Sequence, residues 1–389
     1  MADIMNILTI NVNSNSIKFK IYRQQKQQNS TLLVHGRLDN LYNTNKSIFS
    51  IKDHLSKKSH EEEIKIKDFH LDGIKYISEN LIFNQYELGV AINKITLGTD
   101  AYDTITLLHD KTLVELGKLN ELAPLNQPYN LLIAKYFMKH YPKTKHYAAF
   151  DNYFHKTIPL SNQTCVFPKS QEPRELLLNG LAFQFMSKRL PFLVDNKLAK
   201  GRWVVICLDN SNSICAIKNG KSIATIGGFN LFDSLPNLEK NHNILLNHLN
   251  DKYKLNHIML NSIVNSEYRL VVNSSKASQK IIKTFQNKED QLKFAIHAFC
   301  DEISSHIAKF IIYLGGIDGL IFTGIIGEHI PQIRSHIVEK FEWLGLELSK
   351  KSNNTNKFKI CKKSSKIKAL VVANNEELAM LNQLLDRHK

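Results

Sequence analysis

A unit made of an apolar strand, a short turn rich in Asn and Ser, and a second strand occurs twice in this chain. In the first copy residues 7–11 read as a buried strand and residues 12–15 (VNSN) as a turn. Ile17, Phe19 and Ile21 then alternate with Lys18, Lys20 and Tyr22, the period of a strand with one covered face. In the second copy an apolar run at 203–208 meets the turn 209–212 (DNSN), then strand 213–218, the pair Asn219-Gly220 and strand 221–226. Asn-Gly between alternating segments is a strong hairpin signal, because both residues tolerate the positive φ that a tight hairpin turn needs. An internal duplication of this unit is what a pair of related lobes facing one central cleft would show. The length agrees, since 389 residues exceed one ordinary core and suit two domains of roughly 150 to 200 residues each.

Other segments fill in the lobes. Residues 52–69 (KDHLSKKSHEEEIKIKDF) are densely charged and read as a solvated helix or loop. Leu292, Ile296, Phe299, Ile303, Ile307, Phe310 and Leu314 recur at helical spacing, so 288–314 is expected to be a long amphipathic helix whose stripe is core. After Gly315-Gly316, residues 319–323 read as a buried strand running into a glycine-bearing turn and a helix, an arrangement that points backbone N–H groups at a phosphate. Near the end a strand at 369–373 precedes Asn374-Asn375-Glu376-Glu377, an Asn cap followed by acidic residues at a helix start.

Composition excludes several classes. With 43% hydrophobic and 22% charged residues the chain is globular, not disordered. The opening MADIMNILTINVNSNS has no apolar core of a signal peptide, and no run approaches the roughly 18 apolar residues of a membrane span, so a soluble, cytoplasmic protein is expected. Five scattered cysteines (Cys165, Cys207, Cys215, Cys300, Cys361) form neither CxxC pairs nor a disulfide framework. A net charge of +15 admits a polyanion partner, but the lysines are dispersed along the chain, which argues against a dedicated nucleic-acid surface.

Six segments, in order, then carry a resemblance. They are 10–19 (INVNSNSIKF), 123–128 (APLNQP), 150–159 (FDNYFHKTIP), 215–221 (CAIKNGK), 322–329 (FTGIIGEH) and 373–378 (ANNEEL). They are similar to LNxGSSSLKF, APLHNP, FDTAFHxTxP, SAIxNGK, FTGGIGEN and xTNEEL of the acetate kinase family, carboxylate kinases of the sugar kinase, Hsp70 and actin superfamily. The resemblance covers nearly the whole chain. It implies the two-lobed, ribonuclease H-like α/β fold, with 1–150 as an N-terminal lobe, 151–375 as a nucleotide-binding lobe, and the helix 376–389 packing back on the first. It further implies transfer of phosphate from ATP to acetate or another short carboxylate, with Mg²⁺, in a cytoplasmic homodimer.

On residue type alone Asn11 is a turn former, Glu376 a cap, Asp151 an N-cap, and Ser16 and Lys18 ordinary strand residues. The resemblance gives them other roles: Asn11 and Glu376 beside the magnesium, Asp151 in catalysis, and Ser14, Ser16 and Lys18 near phosphate. It places Lys94 (93–99, NKITLGT) where the family has an acceptor-binding arginine, and Asn179 (176–182, LLLNGLA) where it has a histidine touching the phosphoryl group. A lysine keeps the charge but loses the planar grip, and asparagine cannot become cationic. The phosphate loop HLGNGGS is here Cys207, Leu208, Asp209, Asn210, Ser211, Asn212 and Ser213, without its glycines and with an added negative charge. Nucleotide contacts are expected there and at Gly324, Ile325, Ile326, Gly327 and Glu328. The arginine-bearing GTRSGD segment becomes 234–243 (SLPNLEKNHN), where Lys240 is the nearest cation, and the DCR element has no counterpart at 272–278. Two readings follow: an acetate kinase-type phosphotransferase of reduced or altered activity, or a catalytically impaired relative kept as a nucleotide-binding or scaffold protein.

Overall fold

The computed structural model describes residues 5–25, 30–41, 46–67, 69–80, 86–102, 104–162, 179–209, 212–229 and 290–387. The chain divides into two compact units, one of Met1–Phe154 with Asn375–Lys389, the other of His155–Asn374.

The first unit is built on β1 (Met5–Asn13), β2 (Ser16–Gln24), β3 (Ser30–Asp39), β4 (Ser47–Asp53), β5 (Ser59–Ile64), β6 (Leu88–Ile95), β7 (Ile105–Leu107) and β8 (Lys145–Phe150), in the sheet order β5-β4-β3-β2-β1-β6-β8-β7. β1 is antiparallel to β2 and parallel to β6, and β6 is parallel to β8. A central parallel strand is covered on both faces, which is why Ile7, Leu8, Ile10 and Val12 are all buried with little alternation. One face packs Leu8, Ile10, Ile17 and Phe19 against Ile74 and Ile77 of α1 (Phe69–Asn80). Ile133 and Phe137 of α3 (Gln127–His140) join the same core, and Leu113 and Leu116 of α2 (Asp110–Gly117) join a smaller one with Ile95 and Phe150. Each such side chain contributes about 2 kcal/mol on leaving water.

Residues 52–69 differ from the helix or loop expected of them. Ser59–Ile64 is a strand, β5, paired antiparallel with β4 in the register Lys52↔Ser59. Its charge density is that of an edge strand, whose unpaired side is protected from association by charged side chains.

The second unit holds β9 (Arg202–Cys207), β10 (Asn212–Lys218), β11 (Lys221–Phe229), β12 (Gly319–Thr323) and β13 (Lys368–Val371), in the order β11-β10-β9-β12-β13. The expected hairpin lies at β9–β10–β11, turning at Asn219 (φ 52°) and Gly220 (φ 74°). The pairings run antiparallel, antiparallel, parallel, parallel, the same as β3-β2-β1-β6-β8. The duplication read from the two strand–turn–strand units is therefore a duplication of the five-stranded core. α4 (Gly180–Leu193) follows an Asn179 held in the left-handed region, and α5 (Asp290–Leu314) lays Ile296, Phe299, Ile303, Ile307, Phe310 and Leu314 into the core. The latter helix ends in a Schellman turn, with Gly316 N–H donating to Ile311 O (2.9 Å) and Gly315 N–H to Ile312 O (3.1 Å). Then come α6 (Gly324–His329), α7 (Pro331–Glu339) and, back in the first unit, α8 (Glu376–Arg387). Among the described residues no helix is long and apolar enough to cross a membrane.

Candidate active site

In open α/β sheets, polar side chains gather beyond the carboxyl ends of parallel strands, where backbone pairing stops and helices no longer cover the edge. β1, β6 and β8 are three such neighbours, and they bring Asn11, Lys94 and Asp151 together. Register fixes the placement: Ile10 pairs with Asn93 and Lys94 with Ala149, while Asp151 N–H donates to Ile95 O at 2.9 Å just past the end of β8. Lys18 lies opposite Asn11 on β2, Ser14 lies in the β1–β2 turn and Ser16 opens β2.

The fourth contribution comes from the other end of the chain. Asn375 Oδ1 accepts the Leu378 N–H (3.1 Å), capping α8 and placing Glu376 and Glu377 in its first turn, where the helix end favours negative charge. Lys94 Nζ donates to Glu376 Oε2 at 2.7 Å and stands 3.5 Å from Asp151 Oδ2. Asn11 Nδ2 donates to Glu376 Oε2 (3.0 Å) and to Glu377 Oε1 (2.8 Å). Lys20 Nζ closes the network on Glu377 Oε2 (3.1 Å) and Asn375 Oδ1 (2.6 Å).

Electrostatics bind this set together. Burial works against the charge of Lys94, whose side chain is only 4% exposed, but Asp151 and then Glu376 and Glu377 outweigh it and hold the ammonium above its ordinary range. Burial likewise raises the Glu376 carboxyl, and Lys94, Lys18 and the Asn11 hydrogen bond more than reverse this, leaving it well below the usual carboxylate range. Glu377 is buried too; Lys20 and Lys18 outweigh burial and the repulsion of Glu376, so it also stays ionised. Three carboxylates (Asp151, Glu376, Glu377) thus face three ammonium groups (Lys18, Lys20, Lys94), and the cluster is neutral as it stands.

A divalent cation between the facing groups of Asn11 and Glu376 does not fit this arrangement, because Asn11 Nδ2 already donates to Glu376 Oε2. A hard cation needs oxygen donors; Asn11 turns its amide N–H₂ toward both glutamates, as two ionised acceptors require, which leaves its Oδ1, buried and without a hydrogen bond, as the one oxygen it could offer a metal. Glu376 Oε2 already receives Lys94 and Asn11. Among the described residues no group of three or more His, Cys, Asp or Glu side chains is arranged to hold a metal ion.

The remaining expected residues lie in the second unit. Cys207 ends β9, followed by Leu208 and Asp209. Gly324 has φ +80°, and a Cβ there would strike the Leu208 carbonyl, so glycine is required for this close approach. Glu328 Oε1 accepts N–H bonds from Gly324 (3.0 Å) and Asn374 (3.2 Å), and Leu208 O accepts the Ile326 N–H (3.0 Å). Two amides of the glycine turn, those of Gly324 and Ile326, are therefore satisfied within the protein. Asn179 Nδ2 donates to Ser213 Oγ (2.7 Å). Arg334 is fully buried beneath the turn, donating to Gly327 O (2.7 Å), Asn353 Oδ1 (2.8 Å) and Asn353 O (2.9 Å), and burial lowers its pKa to about 10. Asn210, Ser211, Lys240 and residues 272–278 lie outside the described residues.

Lys20, Asn375 and Glu377 belong to the cluster without having been singled out as site residues. Lys20 shares a strand face with Lys18, a period-2 signal, but nothing local says that a helix more than 350 residues away covers that face.

Residues 6–382 match the sequence model of the Acetokinase family. The acetate kinase of Rickettsia prowazekii (strain Madrid E) is 29% identical over 394 residues, covering 97% of this chain and 98% of that protein. Two solved structures share the fold: a propionate kinase from Francisella tularensis subsp. tularensis SCHU S4 (TM-score 0.80, 21% identity, 97% of this chain and 98% of that one) and the acetate kinase from Entamoeba histolytica (TM-score 0.77, 22% identity, 98% and 99%). The family match spans both sheets and every residue of the polar cluster, and the chain belongs to the acetokinase family.

Proposed function

We propose that this protein transfers the γ-phosphoryl group of ATP, supplied as the magnesium complex, to the carboxylate of acetate or a related short-chain acid, giving ADP and the acyl phosphate. The bond from the γ-phosphorus to the β,γ-bridging oxygen breaks and a carboxylate oxygen takes its place, so no proton is gained or lost. The observation that carries this reading is the convergence of Asn11, Lys94, Asp151 and Glu376 at the ends of β1, β6 and β8, in a chain that matches the acetokinase family nearly throughout.

Such a reaction asks the protein for position and for charge placed in advance around the moving phosphoryl group. Asp151, buried and held by the Ile95 carbonyl, is the proposed catalytic carboxylate. Ser14, Ser16 and Lys18 are the proposed phosphate-side groups, Asn179 the proposed contact to the transferred phosphoryl group, and the turns at Cys207–Asp209 and Gly324–Glu328 the proposed nucleotide contacts of the second unit. A cytoplasmic homodimer is the form proposed; buried thiols at Cys215, Cys300 and Cys361 suit a reducing compartment.

The test is a hydroxamate assay with ATP, Mg²⁺ and acetate, propionate or butyrate. Asp151→Asn is expected to lower kcat by about 10²- to 10³-fold. A wild-type rate no higher than that of the variant would leave a binding protein in place of an enzyme.

A further inference from the structure

We infer that the Lys94 ammonium is a built-in cation of this site, filling between Asp151 and Glu376 the place that a directly bound divalent ion would need. Any metal this protein uses then enters on the nucleotide and has no preformed seat of its own.

The argument is geometric. Lys94 Nζ lies 2.7 Å from Glu376 Oε2 and 3.5 Å from Asp151 Oδ2, with both partner side chains largely buried. An ammonium is a compact point charge with three donors, able to serve two carboxylates at once where a planar guanidinium would have to align with each. Asn11 completes the pattern, donating through Nδ2 to both Glu376 and Glu377. Lys20 adds a second ammonium to the cluster, 3.1 Å from Glu377 Oε2. Lys94 is stiffly placed as well: it sits on β6, one residue before the end of the strand, in register with Ala149 of β8.

The inference rests on the phosphotransferase reading only for its meaning, and its test uses no turnover, so failure of one is separable from failure of the other. Mn²⁺ is titrated against the full-length protein without nucleotide, with the free aqua-ion followed by electron paramagnetic resonance. Wild type is expected to bind no tighter than the millimolar range, and Glu376→Gln should leave that binding unchanged. Lys94→Gln removes one positive charge within about 4 Å of the carboxylates and should create a site roughly tenfold tighter or better. Lys94→Gln with Glu376→Gln should lose that gain. A wild-type site in the micromolar range that Glu376→Gln abolishes overturns the inference, and so does a folded Lys94→Gln protein that binds Mn²⁺ no more tightly than wild type. If Lys94→Gln does not fold, the comparison of wild type with Glu376→Gln still decides.

Discussion

Glu377 accepts from Asn11 on one carboxylate oxygen and from Lys20 on the other, so it fixes the amide that faces Glu376. Removing it leaves Lys20 half-buried beside Asn375 and one donor of Asn11 unmet. Glu377→Ala should therefore destabilise the first unit by about 3 kcal/mol, read as a lower urea midpoint. Lys20→Met should restore part of the loss in a double-mutant cycle, because the two changes share one interaction. Acid should act on the same residues. Glu376 and Glu377 have folded-state pKa values below the ordinary 4.5, so the stability they add is present above that value and is lost as pH falls toward the folded-state values. Melting followed by circular dichroism should be flat from neutrality to about pH 5 and then fall, with Glu376→Gln showing the shallower decline. Glu376 is legible in the sequence through its motif. Glu377 has the same local context and reads as a cap, because its partners lie 357 and 366 residues away, at Lys20 and Asn11.

At the scale of elements, periodicity gave the strand–turn–strand units, the long helix α5 and its glycine stop, since each is set by neighbours in the chain. The edge strand β5 was not legible: its charges mimic a solvated helix, and only its pairing with β4 makes it a strand. Arg334 was equally hidden, a charge among apolar residues that the sequence gives no reason to bury. In the structure it ties α7 to Gly327 at the glycine turn and to Asn353, with neutral oxygens as the acceptors that bind it. Lysine cannot span those acceptors with one ammonium. Arg334→Lys is expected to cost roughly 2 to 4 kcal/mol, measured by chemical denaturation.

Across the whole molecule, the two units are assembled differently. The second is one continuous stretch, His155–Asn374, whereas the first takes its last helix from Asn375–Lys389. Truncation after Asn374 removes α8, and with it Glu376 and Glu377, from the sheet edge of the first unit alone. Limited trypsin digestion with mass spectrometry should then show faster cleavage within residues 5–154, while the β9–β13 core stays as resistant as in the full chain. Uniform loss of protection in both units would contradict this division. The duplicated fold was legible because both copies keep their local pattern; the charge-balanced cluster was not, because it depends on which helix closes which sheet.

Asn11 and Glu376 meet across 365 residues of intervening chain. Asn11 is made well before Glu376, so until α8 follows, Lys18 and Lys20 on β2 and Lys94 on β6 lack two of their three carboxylate partners. The later-made sheet, contiguous in sequence, has all its strands before the earlier one has its closing helix. A chain that stops short of α8 would hold the strands of both sheets and no assembled cluster, so the cluster can form only after those strands have been made.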